Sequence, residues 1–452
     1  MQGSAKRVAA IGTNLNLGLA ALPPSKSAMN RALVLASMAV GESFISWGDG
    51  CNADGLPNDV QLMCGGLGAL GCELAVEGSG IRVYGGRRLR AVGTIDAGDA
   101  GTVLRFLLPL AALHCDGPVE FVGHKRLFER PLAPLLDALA RLGAEWRPSG
   151  GGRVGGVLIP AKGLANLADR GIEIDIDGKL SSQFISGLAM AVAGLGKGSC
   201  KLLVTSYKRQ SAEPNGDAGG YGQAPIGFLQ LTQDWLEKFG CEARLSESGL
   251  DIPAGKLMAG SHRVHGDWGA AAALLCAAAI LDSEICVFPL SLDDRQPDSA
   301  ILQILKNAGG AWQFDGDRCH FRGSLVRGIE ADLRHCPDLA PVLAAAAAFA
   351  PGASALAGLA ALPHKESDRL QGCVRLAQWL GARAEIVDGP ILRIHGGERG
   401  PADFKSPIEP FDPQSDHRMA FGAAIGAMKL GGAVLNPACV EKSFPKFWGA
   451  LG

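Results

Sequence analysis

TVLRFLLPLAALHCDGPVEFVG, residues 102–123, shows the pattern that is repeated along the whole chain. It predicts an apolar helix, a short turn that contains an acidic residue and glycine, and then a short strand. Apolar residues lie on nearly all sides of this helix, which indicates that it is buried inside the protein. The same order recurs in five further stretches, at 30–47, 181–204, 268–289, 339–359 and 417–436.

A second unit lies between these stretches and recurs five times. It consists of an amphipathic helix, a break at glycine and two short strands around a turn, as in LLDALARLGAEWR (135–147) followed by GGVLIP. Gly71 and Gly143 are separated by 72 positions, as are Gly309 and Gly381. A fixed period of this kind indicates a supersecondary unit that has been copied several times. The other four copies lie at 62–86, 231–255, 301–323 and 374–396.

The repeats predict a two-lobed α/β (α+β) protein. Three of the buried helices fall in each half of the chain, and each half is expected to cover them with sheets built from the short strands. The break between the halves is expected near 252–267, and the strand pair at 7–23 is expected to complete the last unit. The predicted lobes are therefore 23–257, and 1–22 together with 258–452, with a ligand in the cleft between them.

Charge and cysteine content argue against several classes of protein. Charged residues make up 19% of the 452 residues and the net charge is −2, so the sequence gives no electrostatic reason to expect a nucleic-acid partner. The cysteines form no CxxC pair, which is typical of reduced, buried thiols rather than of disulfides or a zinc site. The apolar runs are short and broken by proline, and neither a secretion signal nor a P-loop motif is visible. We therefore expect a cytoplasmic protein without a membrane-spanning segment.

Polar and charged residues stand where the buried helices begin. Free N–H groups and the positive end of the helix dipole make a helix N-terminus suitable for phosphate or carboxylate groups. For any one of these serines or aspartates taken alone, a helix cap is the favoured explanation, but their recurrence in both halves shifts the balance toward a ligand. The residues are Lys26, Ser27, Arg31, Asp99, Gly101, Ser181, Ser182, Gln183, Asp338, Asp416, His417 and Arg418.

Three further stretches, HKRLFERP, PHKESDRL and VEKSFPKF, carry charge in turns that do not require it. Arg130 in the first stretch and Arg369 in the second offer planar forks of donors that match carboxylate and phosphate groups. Lys442 in the third adds another cation. These side chains predict a small substrate that carries both a phosphate and a carboxylate.

Eight motifs together resemble the signatures of the enolpyruvyl transferase family: PSKSAMNRAL, GDAGTVLR, ERPL, SSQF, PDLA, KESDRL, DHRMA and EKSFP. The resemblance covers nearly the whole chain and is greatest to the branch that acts on shikimate 3-phosphate. It implies two inside-out α/β barrels, each of three βαβαββ units, that close over the substrates. We expect the protein to be a monomer. The resemblance also implies a reaction without a cofactor or metal. The carboxyvinyl group of phosphoenolpyruvate is transferred to the 5-hydroxyl of shikimate 3-phosphate by addition and elimination, phosphate is released, and the product leads to aromatic amino acids.

The resemblance also implies roles for individual residues. Asp338 matches a carboxylate that takes the proton of the acceptor hydroxyl, while Glu366, assisted by Lys26, matches the donor of a proton to the methylene carbon. The residues that match phosphoenolpyruvate-binding positions are Lys26, Gly101, Arg130, Gln183, Arg369, Arg418 and Lys442. Those that match acceptor-binding positions are Ser27, Arg31, Ser181, Ser182, Gln183, Asp338 and Lys365.

The sequence departs from the family pattern on the acceptor side. Asp99 replaces the usual asparagine, Phe106 a proline, and Ala361 an asparagine that binds the acceptor. The serine and tyrosine that normally follow the third strand are obscured by an inserted loop at 205–226, where Ser206 or Gln223 takes the serine's place. The departures leave open a transferase for another hydroxylated acceptor, or a non-catalytic relative that binds phosphoenolpyruvate. The branch that modifies a UDP-sugar usually has a cysteine before the ERP residues, and HKRLF has none.

Overall fold

The structure is a computed structural model. It describes residues 4–11, 13, 15–48, 53–150, 154–162, 171–178, 181–204, 226–246, 248–387, 389–396 and 409–451. Of the inserted loop predicted at 205–226 only residue 226 is among them, so Ser206 and Gln223 lie outside the described residues.

The described helices are of two kinds, those nearly buried on all sides and those with one buried face. The helices are α1 (Lys26–Met38), α2 (Asn58–Ala69), α3 (Gly101–His114), α4 (Lys125–Glu129), α5 (Ala133–Arg141), α6 (Ser182–Ala193), α7 (Ile226–Lys238), α8 (Trp268–Ile280), α9 (Ile301–Ala308), α10 (Ala340–Phe349), α11 (Arg369–Trp379), α12 (His417–Leu430) and α13 (Phe447–Ala450). Short 3₁₀ turns lie at Ala53–Gly55, Pro297–Ala300, Pro337–Leu339, Leu362–His364 and Pro437–Lys442.

The strands are short, and most follow a helix. They are β1 (Ala5–Val8), β2 (Asn16–Ala21), β3 (Gly41–Trp47), β4 (Glu73–Glu77), β5 (Gly80–Gly85), β6 (Ile95–Asp96), β7 (Val119–Val122), β8 (Glu145–Pro148), β9 (Gly155–Ile159), β10 (Ile172–Ile176), β11 (Cys200–Val204), β12 (Arg244–Ser246), β13 (Gly249–Ile252), β14 (Ser261–Val264), β15 (Glu284–Phe288), β16 (Ala311–Asp315), β17 (Arg318–Arg322), β18 (Glu330–Asp332), β19 (Gly352–Ala357), β20 (Arg383–Val387), β21 (Ile391–Gly396) and β22 (Gly432–Leu435).

The predicted repeats are confirmed. Each of the six apolar helices (α1, α3, α6, α8, α10 and α12) is followed by a strand, and each of the five amphipathic helices by a strand pair. All residues of α8 are buried, as its apolar sequence predicts. The recurring glycines also have a common cause: Gly71, Gly143, Gly309 and Gly381 have φ of 77°, 93°, 126° and 86°, a left-handed conformation that ends a helix and favours glycine.

The chain divides into two compact units. The N-terminal unit comprises Ser25–Gly48 and Asn58–Val264, and the C-terminal unit comprises Met1–Pro24, Asp49–Pro57 and His265–Gly452. These bounds differ by a few residues from the predicted lobes and assign Asp49–Pro57 to the C-terminal unit. That the predicted lobes 23–257, and 1–22 with 258–452, are the true domains stays a prediction.

Three four-stranded sheets surround the buried helices of the N-terminal unit, in the orders β14-β3-β5-β4, β6-β7-β9-β8 and β10-β11-β13-β12. In each sheet the first two strands are parallel and the other neighbours antiparallel. Helices α3 and α6 pack against each other inside. Each sheet covers one side of the helix core and leaves its polar face outside.

Two sheets of the C-terminal unit repeat this order, as β2-β15-β17-β16 and β18-β19-β21-β20. The third described sheet pairs β1 with β22. The expectation that the strands at 7–23 together complete the last unit is therefore wrong for β2, which pairs with β15 instead. The physical reason is an exchange of strands. Because β14, which precedes α8 in sequence, pairs with β3, the edge beside β15 is open to β2.

Within the described ranges, no helix is both long and apolar enough to cross a membrane. Most of the described cysteines are buried, as the sequence predicts.

Candidate functional site

Arg369 lies at the centre of a group of charged side chains in the C-terminal unit. It is the first residue of α11 and is 1% exposed. Its Nε donates to Asp416 (2.7 Å), one terminal nitrogen donates to Asp338 (2.8 Å), and the other donates to Glu366 (2.7 Å) and to Asp416 (3.1 Å). Burial alone would lower the pKa of Arg369, but the three carboxylates raise it well above its ordinary value. The guanidinium is therefore a fixed charge in a fixed orientation.

Two lysines extend this group. Lys365 Nζ lies 3.0 Å from Asp338 Oδ1, and Lys442 Nζ lies 3.7 Å from Glu366 Oε1. Burial would raise the pKa of Asp338, but Lys365, Arg369 and other cations outweigh it and hold the pKa well below its ordinary value. Asp338 is thus ionised at neutral pH, and a proton acceptor is available among these cations.

Arg418, in the first turn of α12, has a different kind of environment. It is 5% exposed, and its terminal nitrogen lies 3.9 Å from Asp267 and 3.7 Å from Asp298, beyond hydrogen-bond distance. A Cβ at Gly269 would overlap the guanidinium, so glycine is what allows Arg418 to pack against the start of α8. Burial would lower the pKa of Arg418, but Asp298, Asp267 and Asp338 raise it.

We refer to these side chains as the charged cluster. Its members are the cations Lys365, Arg369, Arg418 and Lys442 and the carboxylates Asp267, Asp298, Asp338, Glu366 and Asp416. Arg369 shares Asp338 with Lys365 of its own stretch and Glu366 with Lys442 of another, so cations from two of the charged stretches come together within this unit.

Lys26 opens α1 in the N-terminal unit, after Ser25, whose hydroxyl caps the helix by accepting from the Ala28 N–H (3.4 Å). Lys26 Nζ lies 3.0 Å from Asp59 Oδ2, and Asp59 is 1% exposed. A buried carboxylate in the first turn of α2 therefore fixes the ammonium group.

Arg31 follows Lys26 by little more than one turn but is 1% exposed. Its nitrogens donate to Thr232 Oγ1 (2.8 Å), Ser186 Oγ (3.2 Å) and the carbonyls of Ser27 (2.8 Å) and Phe228 (3.2 Å). Burial lowers the pKa of Arg31 to about 9. In this structure Arg31 joins α1 to α6 and α7, and its predicted contact with the acceptor stays a prediction.

Gly101 begins α3 and stands against two guanidinium groups. A Cβ there would lie 2.9 Å from Arg130 Nη1 and 3.0 Å from Arg105 Nη1. These distances are shorter than ordinary van der Waals contacts, so the guanidinium groups would have to shift. Arg105 Nη1 in turn donates to Gln183 Oε1 (2.7 Å). The structure thus brings the predicted residues Gly101, Arg130 and Gln183 together, and Arg105 is the residue that joins them.

The two predicted serines of the third buried helix differ in role. Ser181 is the N-cap of α6 and its hydroxyl accepts from the Gln183 N–H (3.2 Å), so the capping interpretation holds for it in this structure. Ser182 is the first helical residue and is 4% exposed. Binding of an acceptor by either serine stays a prediction.

The three residues that depart from the family pattern differ in their surroundings. Phe106 is fully buried, and its ring lies 5.2 Å from the Arg31 guanidinium, which gives a cation–π contact. Asp99 is half-buried just before α3. Ala361 is half-buried before the 3₁₀ turn Leu362–His364, and its methyl group offers no hydrogen bond where an asparagine would.

Sequence reasoning found most of the cations but missed several of their partners. Asp59, Asp267, Asp298 and Arg105 had no predicted role. The available signal was weak: Asp267 precedes an apolar helix as Asp416 does, but this position is equally typical of a cap. Among the residues that the structure describes, no group of three or more His, Cys, Asp and Glu side chains is arranged to hold a metal ion.

Comparison with known proteins places the chain in one family. The family model of EPSP synthase (3-phosphoshikimate 1-carboxyvinyltransferase) matches residues 11–211 and 229–451. The 3-phosphoshikimate 1-carboxyvinyltransferase of Methanoculleus marisnigri is 33% identical over 95% of this chain and 94% of its own. That of Methanocorpusculum labreanum is 31% identical over 94% of this chain and 93% of its own.

Two solved structures share the fold at lower identity. The EPSP synthase of Acinetobacter baumannii aligns with a TM-score of 0.70 and 19% identity, over 100% of this chain and 97% of the other. The enolpyruvyl transferase NikO of Streptomyces tendae aligns with a TM-score of 0.69 and 15% identity, over 99% and 97%. The predicted α/β class is confirmed by these likenesses. Since the family model and relatives more than 30% identical span nearly all of its length, the chain belongs to the EPSP synthase (3-phosphoshikimate 1-carboxyvinyltransferase) family.

Proposed function

We propose that the protein transfers the carboxyvinyl group of phosphoenolpyruvate to the 5-hydroxyl of shikimate 3-phosphate and releases phosphate. The observation that carries this proposal is the family match, because every residue assigned a role from the sequence lies within residues 11–211 or 229–451. The relatives named for this activity match both units of the chain, so the proposal does not rest on one unit alone.

Phosphoenolpyruvate carries a phosphate and a carboxylate, and cations held in fixed orientations are suited to both. We assign its binding to Lys26, Gly101, Arg130, Gln183, Arg369, Arg418 and Lys442. The buried fork of Arg369 and the close approach of Arg130 to Gly101 support this assignment. A side chain at position 101 would occupy the space beside two guanidinium groups that an anion needs.

Addition requires one proton to leave and one to arrive. The acceptor hydroxyl loses its proton to Asp338 while its oxygen bonds to C2 of phosphoenolpyruvate, and the methylene carbon gains a proton from Glu366 with the help of Lys26. The result is a tetrahedral intermediate that still carries phosphate. Elimination then breaks the C2–O bond to phosphate and returns a methyl proton to the enzyme, which restores the vinyl group. Proton transfer by positioned carboxylates commonly accelerates such steps by about 10²–10⁴.

The surroundings of the two carboxylates support unequal roles. Asp338 is held ionised by Lys365 and Arg369, so it is ready to accept a proton. Glu366 lies between Arg369 (2.7 Å) and Lys442 (3.7 Å), which favour its charged form. We infer that Glu366 becomes a proton donor once the negative charge of the substrate has neutralised those two cations.

For the acceptor we assign Ser27, Arg31, Ser181, Ser182, Gln183, Asp338 and Lys365. Hydroxyl and amide groups at the start of α6 are suited to a phosphate, since they add donors to a helix N-terminus. Lys365 Nζ lies 3.0 Å from Asp338, which supports a role for Lys365 in neutralising the acceptor near the proton-accepting carboxylate.

A second candidate function is the same transfer to a different hydroxylated acceptor. Ala361 favours it, because a methyl group there cannot make the hydrogen bond to an acceptor hydroxyl that the usual asparagine makes, a contribution of about 1 kcal/mol. Asp99 adds negative charge beside Gly101, in a site for anions. A non-catalytic relative that binds phosphoenolpyruvate would keep the charged cluster but give no product with any acceptor.

The test is phosphate release from phosphoenolpyruvate with shikimate 3-phosphate, combined with the mass of the product. A product heavier by one carboxyvinyl group supports the proposal. Asp338→Asn should lower turnover by about 10³ or more. Asp332→Asn is the matched control, because Asp332 pairs with Arg334 outside the charged cluster and should leave turnover unchanged. No product with shikimate 3-phosphate, but product with another acceptor, would support the second candidate.

We further propose that the protein acts in the cytoplasm as a monomer. The mostly buried cysteines of the described chain are suited to a reducing compartment. Size-exclusion chromatography with light scattering would test the oligomeric state, and a dimer mass would contradict it.

A further inference from the structure

The charged cluster contains one more carboxylate than it contains cations. Lys365, Arg369, Arg418 and Lys442 supply four positive charges, whereas Asp267, Asp298, Asp338, Glu366 and Asp416 supply five negative charges when all are ionised. These nine side chains therefore carry a net charge of −1 in that state, without His417, whose Nδ1 lies 3.8 Å from Asp416 Oδ1. Each ionised carboxylate weakens the attraction of the neighbouring cations for an arriving anion, and a carboxylate that takes up a proton no longer does so.

Asp298 is a carboxylate of the charged cluster whose ionised form has few stabilising contacts. It lies in the turn Pro297–Ala300, is 5% exposed, and approaches Arg418 only to 3.7 Å. Its Oδ1 is buried and accepts no hydrogen bond from the described residues. By contrast, Asp416 accepts two hydrogen bonds from Arg369, at 2.7 Å and 3.1 Å. Geometry thus separates a carboxylate that is fixed by hydrogen bonds from one that contributes mainly charge.

The groups that face Asp298 act on it in opposite directions. Burial raises its pKa to about 7, Arg418 and Lys365 lower the pKa, and Asp338 and Asp267 raise it. The buried thiol of Cys336 is also near; burial first, and then the charge of Asp298, raise the pKa of this thiol, so it stays neutral. The pKa of Asp298 is therefore raised to about 7, whereas the pKa of Asp338 is held well below its ordinary value.

We propose that Asp298 is a positioning residue that controls the affinity of Arg418 for phosphoenolpyruvate, by holding a proton while the substrate is bound and releasing it when the site empties. This rests on the proposed function, because it takes Arg418 to bind the substrate. The proton comes from water and returns to it, and no bond of the substrate changes in the step. With Asp298 protonated, one negative charge beside Arg418 is removed, so more of the positive charge of Arg418 acts on the ligand.

The proposal predicts a KM for phosphoenolpyruvate that rises with pH. Above the pH at which Asp298 ionises, binding must be accompanied by proton uptake, so KM increases by up to tenfold per pH unit. An asparagine amide at this position would resemble the protonated carboxyl in shape and charge. We expect Asp298→Asn to lower KM about tenfold at about pH 8.5, to leave it near the native value at about pH 6, and to change kcat less than KM.

Asp294→Asn is the matched control. Asp294 is also buried and lies in the same segment, but its carboxylate accepts from Gln296 (2.7 Å) and lies near His265 (3.7 Å) rather than Arg418. The KM of the Asp294→Asn variant for phosphoenolpyruvate should change with pH as that of the native protein does. Asp298→Ser, which is neutral and smaller, provides a second variant and should also give a KM independent of pH in this range.

The outcomes separate the two proposals. If native protein turns over the substrates but the ratio of native to Asp298→Asn KM is the same at both pH values, the inference is wrong and the proposed function stands. If native protein shows no turnover of phosphoenolpyruvate with any acceptor, the proposed function fails and the inference fails with it. A KM ratio that grows with pH for both neutral variants, and not for Asp294→Asn, supports the inference.

Discussion

Asp416→Asn is expected to destabilise the C-terminal unit when Arg369 is present and to stabilise it when Arg369 has been replaced by methionine. Asp416 is fully buried, accepts two hydrogen bonds from Arg369, and accepts a third from Ser367 Oγ (3.0 Å). It also caps α12 by accepting from the Arg418 N–H (3.0 Å). Asparagine caps a helix about as well as aspartate, so the substitution removes mainly the charge.

The magnitudes follow from these contacts. Hydrogen bonds to charged groups contribute about 1.5–3 kcal/mol, so Asp416→Asn should cost about 2 kcal/mol in the native background. Arg369→Met refills the space of the side chain but leaves a buried carboxylate without its cation, which costs about 3–5 kcal/mol. In that background asparagine removes the uncompensated charge, and we expect it to recover about 2 kcal/mol.

The assay is native-state hydrogen exchange, followed by mass spectrometry, in the native protein, both single variants and the double variant. Peptides from α11 and α12 report the free energy of opening of the C-terminal unit, and peptides from α1 and α3 in the N-terminal unit serve as an internal control. If Asp416→Asn costs the same within about 0.5 kcal/mol in both backgrounds, the two residues do not interact and the reasoning is refuted.

Two further substitutions test other parts of the site. Gly101→Ala should raise the KM for phosphoenolpyruvate about tenfold in steady-state kinetics, because its Cβ would displace Arg130 and Arg105, whereas Gly117→Ala, with nothing within 4 Å, should not. Asp338→Asn should lower the free energy of unfolding by about 2 kcal/mol at about pH 7. The folded-state pKa of Asp338 is depressed, so its contribution is present above the ordinary value and is lost as pH falls toward the folded-state pKa. Urea unfolding should show the native and Asp338→Asn proteins converging at low pH, and a constant difference would contradict the assignment.

The repeat architecture could be predicted because its signals are local. Apolar residues on all sides of a helix indicate burial whatever the partner is, and a glycine at each helix end marks a left-handed residue, as at Gly309 with φ of 126°. The partner of β2 could not be predicted in the same way. The strand is compatible with any open sheet edge, and β15 offers one because β14 pairs elsewhere.

The cations of the site could be predicted, but their carboxylates could not. Asp416 is 47 positions from Arg369 in sequence, and a single sequence contains no signal for that pairing. An aspartate before an apolar helix is typical of a cap, and Asp267 and Asp416 are in fact caps as well as partners of arginines. One aspartate both caps a helix and pairs with an arginine, so a sequence pattern that indicates a cap gives no sign of the pairing.

These carboxylates change what the predicted cations can do. Arg369 already donates hydrogen bonds to three carboxylates, so an anionic ligand can bind it only by sharing or displacing them. The binding free energy of the ligand is therefore smaller than the presence of four cations alone would predict. In return, the guanidinium is oriented before the ligand arrives and needs no reorganisation during reaction. Distance then distinguishes two classes of carboxylate. Those at 2.7–2.8 Å from Arg369 fix its geometry, and their loss should damage the site. Asp298, at 3.7 Å from Arg418, contributes charge that opposes the ligand, and its neutralisation should improve binding.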